Sequence, residues 1–373
     1  MLKKYYGMMI LFFSMIAFSC NHTEEPGKKP SIKQEATEVA GDTITFILGD
    51  DNAPGEVFYR NAERYYRHKS GDESKVIKGI YSLTGVVDYL IDHQDTSQLP
   101  WGQINLVSHG NPYNGLSVSV VPDGQRCNAL TMREYIENDT LPEIPDGLID
   151  DKTIIAIRSC GIGSNTELLH LIKQFFTSNK VPKIKASTYF EYFLRDDSTQ
   201  QVKHFLTDYW MINYKMGYRP RDRQIIQRFK TLYPNAGVNW ENALQKEHAS
   251  KPGEVFCYSF EVPGKWVFQY EDRDSIPALY TNSEKIAWVR QNPVIMNDLQ
   301  VIRMEPENFN WWMRRIYVRS EDDETVPAFW VKGYSTVLCV LKLLPPDYEP
   351  QNLFLPDLPR PIDLQKLIWF DHK

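Results

Sequence analysis

The chain has 373 residues, 42% hydrophobic and 24% charged, with a formal net charge of -6. That length and apolar content suffice for one large or two modest domains with real cores, and the negative balance argues against the phosphate-tracking surface of a nucleic-acid binder. The aromatic share, 13%, is high, and Tyr and Trp are abundant in the second half, as in peptide- or glycan-binding surfaces and in ordinary β-rich cores.

The N-terminus reads MLKKYYGMMILFFSMIAFSC: a basic start at Lys3 and Lys4, then an apolar stretch from Met8 to Phe18. This is the anatomy of a secretory signal over residues 1–19, since a membrane span needs roughly 20 apolar residues. Its end, Ala17-Phe18-Ser19-Cys20, resembles a bacterial lipobox with Cys20 as the lipidated residue, although Ala17 stands where Leu is usual. Residues 20–41 are polar and aperiodic, as suits a tether above a membrane. The expected location is the bacterial cell envelope, as an outer-membrane lipoprotein facing the periplasm or the cell surface.

From residue 42 short apolar runs alternate with helical stretches. Residues 42–50 (DTITFILGD) read as a strand, 56–68 as an amphipathic helix, 75–80 as a weaker strand, 83–94 as a helix and 102–110 (GQINLVSHG) as a strand. Residues 115–131 look like a hairpin turning at Asp123-Gly124. A short helix follows from Thr131, then a strand over 152–159, a helix over 165–176 that Ser164-x-x-Glu167 would open as a capping box, and a strand over 183–190. The spacing predicts helix from about 200 to 245. From Gly253 onward the chain turns β, with strands expected in EVFCYSFEV, KWVFQYE, KIAWVR, RRIYVR and FWVKGY. Strand and helix in alternation predict a parallel sheet with helices on both faces, and in such sheets function gathers at the carboxyl ends of the strands.

At that edge stand His109, ending the third strand, and Cys160, ending the fourth. A cysteine nucleophile needs its thiolate, which a free thiol supplies only to a few per cent at neutral pH. His109 can take the proton, and the helix start behind Cys160 favours an anion. Gly110 and Cys160 offer main-chain N–H groups for an oxyanion. A lone Cys after a buried strand is usually apolar filler and a lone His-Gly usually a turn, so their joint placement on consecutive strands carries the reading. No GxSxG elbow occurs for a serine hydrolase. Cys127, Cys160, Cys257 and Cys339 form neither a disulfide framework nor a metal motif, so no cofactor is expected.

His109-Gly110, Gly115-Leu116, Asp123-Gly124, Leu130-Thr131, Glu134 and the apolar run into Ser159-Cys160 and Gly163 resemble the CHAT group of caspase-like cysteine peptidases, over roughly residues 42–190. The chain departs from the group in placing Gly161-Ile162 after the cysteine, where Glu-Thr is common. The resemblance implies a caspase-like α/β sandwich, with His109 as general base, Cys160 as nucleophile and the Gly110 and Cys160 amides as oxyanion hole. The expected domains are then a caspase-like unit at 42–252, ending in a helical segment, and a β-rich accessory region at 253–373 that could lend a strand to the sheet.

Three residues bear on specificity. Arg158 shares the strand parity of Cys160 and by the resemblance would receive an acidic side chain. Asp50 and Asp51 end the first strand and would favour a basic one, as the likeness of GDDN to the turn in clostripain-like enzymes suggests. An ion pair between Arg158 and either aspartate is the alternative to both. The expected partners are a protein or peptide substrate and, through the lipid, a membrane. A peptide- or glycan-binding lipoprotein on the same fold is the competing function. A carbohydrate-processing enzyme would need a carboxylate pair that no motif isolates.

Overall fold

The computed structural model describes residues 42–348 apart from 53–55, 94–99, 197–198, 302–303, 321–322 and 347, together with 371–372. The expected signal, Cys20 and the expected tether lie outside the described residues.

The first half of the chain builds a parallel sheet. Its strands, with a small ribbon between, are β1 (Thr43–Ile47), β2 (Val76–Ile77), β3 (Gln103–Val107), the ribbon pair β4 (Gly110–Asn111) and β5 (Gly115–Leu116), β6 (Ile154–Arg158) and β7 (Lys183–Ala186). The five-stranded sheet runs β2-β1-β3-β6-β7, every pairing parallel. The order reverses between β1 and β3, and such a switch point leaves a crevice outside the strand ends.

Because side chains alternate across a strand, the two faces of the sheet collect different partners. Ile44, Phe46, Ile104, Leu106, Ile155 and Ile157 face one way. They pack on α2 (Leu83–Asp92), α3 (Ala129–Glu137) and α4 (Thr166–Phe175). Ile47 and Val107 face the other way, against Tyr59, Ala62 and Tyr66 of α1 (Phe58–Ser70) and against Phe193. Each large apolar side chain so buried contributes about 1.5–3 kcal/mol.

Phe193 belongs to a second, antiparallel sheet formed by β8 (Phe190–Arg195), β9 (Val202–Lys215), β10 (Val255–Gln269), β11 (Asn310–Arg319) and β12 (Thr325–Leu343). Its order is β13-β10-β12-β9-β8, where the short β13 (Asp371–His372) joins β10 in parallel, with β11 on the first half of β12. The expected boundary at 252/253 is corrected by this sheet. β12 pairs with β9 from before that boundary and with β10 from after it, so no cut there leaves two closed cores. The molecule is thus a mixed α/β protein with a parallel five-stranded sheet, flanking helices and a β-rich C-terminal region.

Three local expectations also change. Residues 202–215 are strand, not helix: Phe205, Thr207, Tyr209, Ile212 and Tyr214 are buried and both edges of β9 are hydrogen-bonded to neighbours. Helix in that stretch is confined to α5 (Asp222–Leu232) and α6 (Trp240–Ala243). KIAWVR lies within helix α7 (Asn282–Gln291), opened by a Thr281/Glu284 capping box and followed by α8 (Pro293–Val301). The α4 cap is Asn165, whose side chain accepts from the Leu168 amide at 3.0 Å, while Glu167 turns away to pair with Arg133.

Candidate active site

β3 and β6 are direct neighbours in register, Val107 beside Arg158, so the two strands deliver their terminal residues to one edge. His109 and Cys160 line the same cavity there, of about 470 Å³. Its far wall comes from the second sheet: Phe190 and Tyr192 of β8, Thr207 of β9, Phe256, Tyr258 and Phe260 of β10 and Leu341 of β12. The wall is ring-rich, and polar and charged side chains, Arg126 and Glu56 among them, line the rest.

His109 is fixed from three sides. Its ring stacks on Phe58 with centroids 4.3 Å apart, meets Tyr59 edge-on at 4.7 Å, and its main-chain N–H donates to the Tyr59 hydroxyl at 2.8 Å. Its carbonyl accepts from the Ser117 amide at 2.7 Å. Burial holds the imidazole below its ordinary value; Arg126 acts in the same direction, while Glu56 and Asp51 oppose it. Among the described residues, nothing hydrogen-bonds its buried Nε2. The ring therefore stands neutral near pH 7, with its basicity unspent.

Cys160 is held differently. Its thiol donates to the Glu191 main-chain carbonyl at 3.6 Å, and burial pushes it up to about 12. At rest both members of the candidate dyad are neutral. The turn after the thiol depends on Gly161, at φ +65°, where a Cβ would meet the Phe190 ring at 2.8 Å, and only glycine adopts that conformation without strain.

The two expected oxyanion donors stand at the cavity. The Gly161 amide is committed to Tyr189 and the Gly163 amide to Ser187; among the described residues no hydrogen bond engages the Cys160 amide. Gly110 pairs with Leu116 in the ribbon, and the bond from the Ser117 amide to the His109 carbonyl makes this the wide type of antiparallel pair. The Gly110 N–H therefore points away from β5, and Gly110 lines the cavity.

No family model, curated protein or solved structure matches the chain. The chemistry of the site rests on its own atoms.

Arg158, Asp50 and Asp51, the expected specificity residues, do not line the cavity. Arg158 lies on the α1 face of the sheet, below the cavity, with Nη1 3.7 Å from the Glu191 carboxylate, so its ion-pair partner is Glu191 and neither aspartate. Asp51 accepts the amides of Tyr59 and Arg60, both at 3.0 Å, capping the first turn of α1. Asp50 accepts the Tyr81 hydroxyl. The cavity is lined by none of the three, because each is drawn to a nearer partner.

Glu191, Arg126 and His248, which no sequence motif marks, also line the cavity. Glu191 left one signal, a lone acid among the rings of FEYF. Its side chain has no exposure, and His204 approaches its other oxygen at 3.4 Å. Arg126 lies on the returning arm of the expected hairpin, bridged to Ser119, and His248 in a loop.

Proposed function

We propose that the protein is a cysteine endopeptidase on a caspase-like α/β fold, anchored to a bacterial envelope membrane through Cys20. The observation carrying this reading is that His109 and Cys160 end adjacent parallel strands and line one cavity. In the reaction His109 takes the thiol proton as sulfur attacks the scissile carbonyl carbon, and the Gly110 and Cys160 amides hold the oxyanion. The C–N bond breaks, the leaving amine takes the proton from His109, and a thioester remains. Water, losing a proton to His109, attacks the thioester carbonyl; the C–S bond breaks, the carboxylic acid product leaves, and the proton on His109 returns to sulfur to restore the thiol. A carbonyl group entering between the two side chains must first draw the thiol away from Glu191.

Cys160→Ala and His109→Ala are expected to abolish cleavage of a mixed peptide library and labelling by a thiol-directed activity probe. Wild-type protein that cleaves nothing and labels no faster than free cysteine would overturn the reading.

One observation favours a second reading, a non-catalytic peptide- or glycan-binding lipoprotein: the resting thiol is tied to a carbonyl inside a cleft walled by aromatic rings. Ligand binding that survives Cys160→Ala, with no turnover, would select it.

A further inference from the structure

Arg126 lines the cavity as an exposed arginine. Its guanidinium donates from Nη2 to the Gly115 carbonyl and the Ser117 hydroxyl, each at 3.3 Å, and both acceptors are neutral. Among the described residues no carboxylate forms an ion pair with it. Three acids reach the same cavity: Glu56 accepts from the Asn52 amide at 3.2 Å, the Glu191 carboxylate is sealed beside Arg158, and Glu247 is exposed as Arg126 itself is. An arginine fork presents planar paired donors that match a carboxylate.

We propose that Arg126 is a carboxylate-binding subsite of the Cys160 cleft, so that the ligand taken there is a peptide carrying a free carboxylate close to the bond presented to the thiol. The subsite itself follows from the cavity; that the bond is then cleaved rests on the peptidase reading. The acidic group is either an Asp or Glu side chain or a chain terminus, both of which satisfy the same fork.

The subsite has a consequence for the dyad. Arg126 opposes protonation of His109, with burial, against Glu56 and Asp51. A carboxylate docked on Arg126 offsets that cation, and His109 then accepts the Cys160 proton more readily. The other charged or titratable groups facing the thiol are Glu191 and, on β10, Tyr258, while His248 and Glu247 line the same cavity. Binding of the right ligand would thereby help ionise a dyad that rests neutral.

The test needs no knowledge of the natural substrate. Iodoacetate and iodoacetamide differ only in carrying a carboxylate or its neutral amide, and both alkylate a thiol by displacing iodide as the S–C bond forms and the thiol proton is lost. Their rates at Cys160 in the full chain, identified against Cys160→Ala and each divided by the rate at free cysteine, give a selectivity ratio. Arg126→Gln is expected to lower the iodoacetate preference by about tenfold or more, the worth of a charge-assisted hydrogen bond, and Arg126→Lys by less. An equal ratio in wild type and Arg126→Gln would overturn the subsite. A second arm uses peptide pairs with Asp or Asn before the scissile bond, and with a free or amidated C-terminus; the pair whose preference vanishes in Arg126→Gln names the source of the carboxylate. A wild type that cleaves none of them but keeps carboxylate-selective alkylation sinks the peptidase reading and supports the subsite.

Discussion

The Cys160 thiol donates its hydrogen bond to the main-chain carbonyl of Glu191, 3.6 Å away, on a strand of the opposite sheet. The thiol is thereby held to an acceptor that needs its proton present, and burial pushes it up to about 12. Alkylation of Cys160 by iodoacetamide should thus be slow at pH 7 and still rising above pH 9, where an ordinary thiol has levelled. The linkage has a definite sign: the folded thiol keeps its proton more tightly than the unfolded one. The stability that Cys160 contributes is fully present below the ordinary thiol range and is lost as pH rises from about 9 toward 12. Midpoints of chemical unfolding for wild type and Cys160→Ala, compared across that window, check it; a constant difference refutes it.

The pairing of Arg158 with Glu191 gives the second prediction. The two side chains are 17% and 0% exposed, so neither charge can be left alone cheaply. Glu191→Gln should cost about 3–5 kcal/mol, because it strands a buried guanidinium, whereas Arg158→Met with Glu191→Gln should recover much of the loss. A double-mutant cycle on urea unfolding reads the coupling. The main-chain carbonyl of the same residue holds the Cys160 thiol. A Glu191→Gln variant should also show a lowered midpoint for Cys160 alkylation, because the acid works against thiolate formation; unaltered alkylation would leave Glu191 a purely structural residue.

How far the sequence carried this site depends on the range of the interactions involved. β1, β3 and β6 were legible because each is a short apolar run bounded by turns, and their carboxyl ends then named His109 and Cys160. The partners of Arg158 were not legible. Asp50 and Asp51 are near it on the sheet edge by reasoning, but Glu191 reaches it from a strand whose register no local pattern encodes. β9 was misread for the same reason: its mixed polar and aromatic residues make sense only between β8 and β12. Long-range pairing outweighs local propensity in such strands.

Gly110 offers a steric prediction. A Cβ there would lie 2.5 Å from Ser159 Oγ and 2.7 Å from the Gly115 carbonyl oxygen. Only the first neighbour is a side-chain atom, so Ser159→Gly should relieve part of the Gly110→Ala clash and leave the rest. We expect Gly110→Ala to destabilise by about 1–3 kcal/mol and to displace the β4-β5 ribbon. If Gly110 also lends its amide to an oxyanion, kcat falls further than the loss of folded protein explains. Thermal unfolding and turnover, measured on one preparation, separate these effects.

The last prediction concerns the hydroxyl that fixes the histidine. Tyr59 accepts the His109 main-chain N–H at 2.8 Å and is itself buried at 4% exposure, and Asp51 ties the amide of the same tyrosine to the turn after β1. Tyr59→Phe keeps the ring against His109 and removes only the oxygen, so the His109 amide loses a buried acceptor at a cost of about 1–3 kcal/mol. The imidazole should then lose its fixed placement on Phe58, and with it a defined titration. In wild type, burial depresses the His109 pKa. Unfolded chains therefore take up the proton first, and the stability this residue contributes, present above about pH 6.5, is lost as pH falls through the depressed value. An NMR titration of the His109 ring should show a midpoint below 6.5 in wild type and a shift toward 6.5 in Tyr59→Phe as the ring gains access to water. Turnover, if His109 is the base, should lose its acid-side limit at the wild-type position and acquire it at the higher one; a variant whose pH profile matches wild type would mean that Tyr59 supports the fold alone.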